Sequence, residues 1–201
     1  MTTDPMAMKF SVLDATGREV PWGNGIDVSR EIIARHEAGA LLWRLSTTKI
    51  RQSCDFSDYQ GYDRTITLLA GGPFQLEFGG HAPAARVEQY RPCRFSGGWP
   101  AYCRLLGDTA SVINVMVADG LDYAVSTAAF TDAESPLALG VGVTLIHCLQ
   151  GDLAIATPDG IRHAVAREET FAAEGQAGGD LRIRAADGTA QALVFRLESG
   201  T

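Results

Sequence analysis

Two stretches decide the fold: "LLWRLSTTKI" at residues 41–50 and "LDYAVSTAAF" at residues 121–130. Aligned at an offset of 80 residues, Trp43 falls on Tyr123, Leu45 on Val125, and Ser46-Thr47 on Ser126-Thr127. "LLWRLSTTKI" alternates side-chain character with a period of two, as in a strand that buries one face. The same offset aligns "ITLLAGGPFQLEF" with "IHCLQGDLAIAT", placing Gly71 on Gly151. It also aligns "VINVMVADG" with "ALVFRLESG", placing Ile113 on Leu193 and Val115 on Phe195. Three stretches keeping one spacing indicate an internal repeat of about 80 residues.

Short β-prone runs punctuated by Gly, Asp and Pro continue from end to end, so the chain reads as all-β. A repeat of this size suits one small barrel or sandwich. The expected architecture is a two-lobed jelly roll of the cupin type (a bicupin, RmlC-like), with lobes at residues 1–119 and 120–201 and room for strands to exchange between them. One long antiparallel sandwich with a coincidental repeat is the alternative. Within the lobes, "LLAGGPFQLEF" and "LAIATPDGIRHAV" read as hairpins, with glycine or Pro-Asp-Gly at the turn. In "SREIIARHEAGALLWRLS" the "HEAG" turn signal interrupts any helical spacing, which predicts two strands joined by a hairpin.

Composition narrows the function classes. Hydrophobic residues make up 46% and charged residues 20%, as in a soluble globular domain rather than a disordered chain. A formal net charge of −7 argues against nucleic acid and anionic membranes as partners, since both need a basic surface. No apolar run approaches the roughly 20 residues that span a bilayer. The opening "MTTDPMAMKF" lacks a signal-peptide pattern, so a cytoplasmic protein is expected. Cys54, Cys93, Cys103 and Cys148 are scattered without a CxxC pair, and are expected to be reduced thiols. Exposed barrel edges leave room for a homodimer.

Metal, phosphate and charge patterns are the places where a chain of this kind would carry chemistry. His36, His81, His147 and His163 are all more than ten residues apart, without the HxH that a cupin metal site uses, so no metal is expected. "GNGIDV" lacks the third glycine of a dinucleotide loop, and Walker and GxSxG motifs are absent, so no cofactor is expected either. Polar groups set among strands of the first repeat remain: Asn24, Arg30, Arg44, Arg64 and Asn114. A guanidinium or amide buried there needs a partner or a ligand. The second repeat has Ala124 in place of Arg44 and Val194 in place of Asn114, which suggests that one lobe kept a polar interior while the other became packing. Arginines with asparagine amides favour a small carboxylate, to which a guanidinium donates two parallel hydrogen bonds.

Four stretches carry a resemblance: "PWGNGIDVSREI" (21–32), "LLWRLSTTKI" (41–50), "FSDYQGYDRTITLLAGG" (56–72) and "VINVMV" (112–117). In order and spacing they resemble the landmarks of the HutD/Ves family. The resemblance implies a two-lobed cupin fold and a regulatory, non-enzymatic role in bacterial histidine utilisation. Carried over position by position, it marks Trp22, Asn24, Ser29, Arg30, Glu31, Trp43, Arg44, Asp63, Arg64 and Asn114. The family's lysine is Gly23 here, and two of its glycines are Ile26 and Asp27, which changes the charge of that loop. The expected function is metal-independent binding of a small carboxylate metabolite by Trp22, Asn24, Arg30, Trp43, Arg44, Asp63, Arg64 and Asn114. The competing expectation is a metal-free isomerase, epimerase or hydrolase with Asp63 or Glu31 as general base.

Overall fold

The computed structural model describes residues 8–14, 16–21, 28–175 and 179–198. Strands form wherever alternation and β-branched residues coincide, and the described residues contain no helix, hence none long and apolar enough to cross a membrane. The chain divides into two compact units at Gly120/Leu121, one residue beyond the expected boundary.

The first unit carries β2 (Arg18–Pro21), β3 (Val28–Glu37), β4 (Ala40–Ile50), β5 (Cys54–Asp55), β6 (Tyr62–Gly71), β7 (Phe74–Glu77), β8 (Ala85–Val87), β9 (Cys93–Ser96), β10 (Tyr102–Leu105) and β11 (Ala110–Ala118). A six-stranded sheet in the order β2-β3-β4-β11-β6-β9 accompanies a four-stranded one in the order β5-β10-β7-β8. Ile50, Ile66, Leu68, Phe74, Leu76 and Val112 come from both sheets and share one buried core. The strand preceding this unit, β1 (Lys9–Leu13), belongs to the other unit, where it pairs antiparallel with a late strand; the expected first lobe is corrected there.

The second unit adds β12 (Tyr123–Thr131), β13 (Ser135–Ala138), β14 (Gly142–Gln150), β15 (Leu153–Ala156), β16 (Arg162–Val165), β17 (Thr170–Gly175), β18 (Asp180–Ala185) and β19 (Thr189–Glu198). Its sheets run β1-β17-β14-β19-β12 and β13-β18-β15-β16. Strands about 80 residues apart hold matching places: β4-β11-β6-β9 in one unit corresponds to β12-β19-β14-β17 in the other. Ile146, Ile155, Phe171, Leu181 and Ile183 anchor the second core.

The "HEAG" hairpin forms as expected. Ala38 and Gly39 both take positive φ, 48° and 85°, so a two-residue turn joins β3 to β4 with the twist of the strands it connects. "LAIATPDGIRHAV" is likewise a hairpin, β15 pairing with β16. "LLAGGPFQLEF" is not: β6 pairs with β11 and β9, whereas β7 pairs with β10 and β8, so this stretch crosses from one sheet to the other. Gly71 permits the crossing. Its φ is 93°, and a Cβ there would lie 2.2 Å from the carbonyl oxygen of Thr109. Gly151, with φ 69° and a Cβ position 2.6 Å from Thr189 O, meets the same constraint.

Candidate functional site

Strand alternation sends Arg44, Ser46, Thr48 and Ile50 of β4 to one face, and Trp43 and Leu45 to the other. The pairing of β4, β11 and β6 then lines these residues up in cross-strand rows. One row reads Arg44–Met116–Arg64, and the next Ser46–Asn114–Ile66. With strands about 4.8 Å apart, the two arginines start about 10 Å from each other on either side of Met116. The register therefore aims two guanidinium groups and one amide into the same hollow.

The hollow is a pocket of about 410 Å³ measured out to its open mouth, lined by Arg44, Arg64 and Asn114 together with Ser29, Thr48, Ile66 and Val112 from the sheet. Phe56, Ser57 and Tyr59, from the segment joining β5 to β6, form its other wall. Its enclosed part has room for more than the single water that needs roughly 10–15 Å³. That suits the head of a small molecule and excludes a nucleotide buried whole.

The wall is held by backbone hydrogen bonds. Phe56 N–H donates to Ala101 O at 2.8 Å, Tyr59 N–H to Gly97 O at 2.9 Å, and Gly97 N–H to Tyr62 O at 2.7 Å. Gly97 is required by close approach, because a Cβ there would lie 2.6 Å from Tyr59 O and 2.8 Å from Tyr62 O.

Among the described residues, no carboxylate forms an ion pair with Arg44 or Arg64. Arg64 is only 8% exposed, and desolvation by burial brings it from its ordinary 12.5 down to about 10, with Tyr59 opposing the shift and the like charge of Arg44 adding to it. Three rings soften that cost: the Arg64 guanidinium lies 5.1 Å from the Phe56 centroid, 5.3 Å from Tyr59 and 5.1 Å from Phe95. The Arg64 Nη1 donates to Ser57 O at 3.4 Å, a long bond, while its Nε has no partner. Arg44 lies 5.9 Å from the same Tyr59 ring. Its Nη2 donates to Met116 Sδ at 3.1 Å, a weak acceptor, and its Nε is also unpartnered. Asn114, 7% exposed, leaves Oδ1 buried without a donor. Among the described residues, no Asp or Glu lines the pocket.

None of the other expected site residues that are described lines the pocket. Arg30 alternates away from Ser29 and reaches Glu19 at 3.5 Å on the exposed side. Trp43 is 1% exposed on the face opposite Arg44. Asp63 occupies the face of β6 opposite Arg64 and pairs with Arg94. Glu31, the other candidate base, stands opposite Ser46 in the row that continues through Asn114, and its carboxylate accepts a hydrogen bond from Arg18 at 3.1 Å. Trp22 and Asn24, with Gly23, Ile26 and Asp27, lie outside the described residues.

Sequence reasoning did not assign Thr48, Ile66, Val112, Phe56, Ser57 or Tyr59 to the site; the last three fall in "FSDYQGYDR", whose family pattern marked the segment without giving its role. The second unit is mostly apolar inside, although not wholly so. Its matching row reads Ala124–Arg196–Thr144, with Arg196 Nε buried and unpartnered, and His147 Nδ1 lies 2.9 Å from Thr170 Oγ1. Among the described residues, no three His, Cys, Asp or Glu side chains are grouped to hold a metal.

Known proteins resemble this chain along most of its length. The conserved protein of unknown function PA5104 from Pseudomonas aeruginosa PAO1 superposes with a TM-score of 0.86 at 26% identity, over 95% of this chain and all of that one. The cupin 2 conserved barrel domain protein from Leptotrichia buccalis, at 12% identity, shares the fold with a TM-score of 0.57 over 85% of this chain and 88% of its own. An uncharacterized 21.2 kDa protein of the hutC 3′ region of Pseudomonas putida is 34% identical over 101 residues. That match takes in 49% of this chain and 53% of the relative, so this chain spans about half the relative's length. The fold is therefore that of a two-unit cupin, and since the HutD family's sequence model matches residues 14–193, the chain belongs to the HutD family.

Proposed function

We propose that this protein binds a small carboxylate metabolite, without metal and without turnover, in the pocket of its first unit. One observation carries the reading: Arg44, Arg64 and Asn114 line one hollow, each with a buried polar atom that has no hydrogen-bond partner, and among the described residues no acid lines it. Two cations kept from water beside each other are costly, and an entering carboxylate offsets that cost through charge-assisted hydrogen bonds. Asn114 adds a polar contact for a group next to the carboxylate.

The role is regulatory, in histidine utilisation. Membership of the HutD family supports this, as does the Pseudomonas putida relative named for the hutC 3′ region. The ligand is then an intermediate of histidine degradation. Isothermal titration with urocanate, formiminoglutamate, formylglutamate and formate tests the assignment. At least one should bind, with affinity lost in Arg44→Met and Arg64→Met. Silence from all four overturns the ligand class. The binding reading is favoured over the enzymatic alternative because Asp63 and Glu31 each make an ion pair with an arginine and neither is among the residues that line the pocket.

A further inference from the structure

The sequence left Cys54 and Cys103 as unrelated thiols nearly 50 residues apart. The fold makes them cross-strand partners: in the two-residue ladder between β5 and β10, Cys54 pairs with Cys103 and Asp55 with Tyr102. Both side chains point into the same core, and no disulfide joins them. Phe56 N–H bonds to Ala101 O, so the alternation of an antiparallel ladder makes Cys54 and Cys103 the next closely bonded pair, two residues along. Such pairs hold their Cα atoms about 5.5 Å apart. Disulfides span Cα separations of about 4.4–6.8 Å. The backbone is therefore already placed for a bridge.

We propose that Cys54 and Cys103 form a dithiol–disulfide pair that, when oxidised, fastens the Phe56–Tyr59 wall of the pocket. β5 is only two residues long and lies at the edge of its sheet, with β10 its one neighbour there. A short edge of this kind opens locally at low cost. Phe56, Ser57 and Tyr59 follow β5 directly in the chain, so a bond at Cys54 shortens the free lead into that wall. The oxidant is a low-molecular-weight disulfide. Cys54 loses its proton and attacks one sulfur of that molecule, releasing the first thiol and leaving a mixed disulfide. Cys103 then loses its proton and attacks Cys54 Sγ, releasing the second thiol. The protein gives up two protons and two electrons, and one small disulfide becomes two thiols. In the closed form Cys103 is fully buried, and burial together with the neighbouring Cys54 pushes it up to about 12, so exchange proceeds through the opened edge.

The test is to incubate the folded, full-length protein with oxidised glutathione and read intact mass, peptide map and amide exchange. Expected are a loss of two hydrogens without a retained glutathione, a Cys54–Cys103 peptide, and at least tenfold slower exchange of the Phe56 amide. Cys54→Ser and Cys54→Ala should both abolish the mass loss, whereas Cys93→Ser and Cys148→Ser should keep it. A stable single adduct, a bridge to another cysteine, or no reaction in the native protein overturns the pair. A bridge that leaves Phe56 exchange unchanged overturns its effect on the wall. None of these readouts requires the carboxylate reading of the pocket to hold.

Discussion

Replacing Arg64 with methionine separates a ligand-binding arginine from a structural one. Burial brings this guanidinium from 12.5 to about 10, which at 1.36 kcal/mol per tenfold corresponds to roughly 3 kcal/mol by which folding disfavours its charged form. Contacts with Phe56, Tyr59 and Phe95 return half or more of this, at about 0.5–1 kcal/mol for each cation–π pair. Methionine keeps most of the apolar stem and its packing while removing the charge. Arg64→Met should therefore leave the unfolding free energy unchanged or raise it by up to about 2 kcal/mol in urea titrations. Breaking a buried salt bridge by removing one partner costs about 3–5 kcal/mol instead. Carboxylate affinity, in contrast, should fall about 100-fold by isothermal titration, the equivalent of a charge-assisted bond of roughly 3 kcal/mol. A variant destabilised by 3 kcal/mol or more, or one that binds carboxylate as well as the parent, refutes the reasoning.

Three further outcomes are expected. Gly97→Ala should cost about 1–3 kcal/mol in chemical denaturation and weaken pocket binding, since the added methyl group meets the carbonyl oxygens of Tyr59 and Tyr62. Glu31→Gln and Asp63→Asn should leave ligand affinity within about twofold, as neither carboxylate lines the pocket; a large loss would revive an acid–base role. Burial holds His147 down at about 4 from its ordinary 6.5, so between these values the unfolded chain binds the extra proton. Stability from this group is thus intact above about pH 6.5 and lost as pH falls towards 4, by roughly 3 kcal/mol in total. His147→Gln should flatten that part of the stability–pH curve, and an unaltered curve would show that other groups set it.

The sequence by itself determined the strands and the matching of stretches 80 residues apart, because alternation and turn glycines are local signals. It also singled out Arg44, Arg64 and Asn114, because polar groups amid apolar strand residues stand out wherever the strands pair. Arg30 stands out by the same local signal, and the family motif marks Trp43 and Asp63, but all three face away from the pocket because adjacent strand residues point opposite ways. Only the tertiary structure decided the rest. Which strands lie side by side depends on closures between distant segments, and these brought β11 between β4 and β6 and set Met116 between two arginines. The same closures carried Phe56, Ser57 and Tyr59 over the sheet and laid Cys54 against Cys103. They also turned "LLAGGPFQLEF" from a hairpin into a crossing, since a turn's local chemistry says that the chain bends but not which strand it meets next.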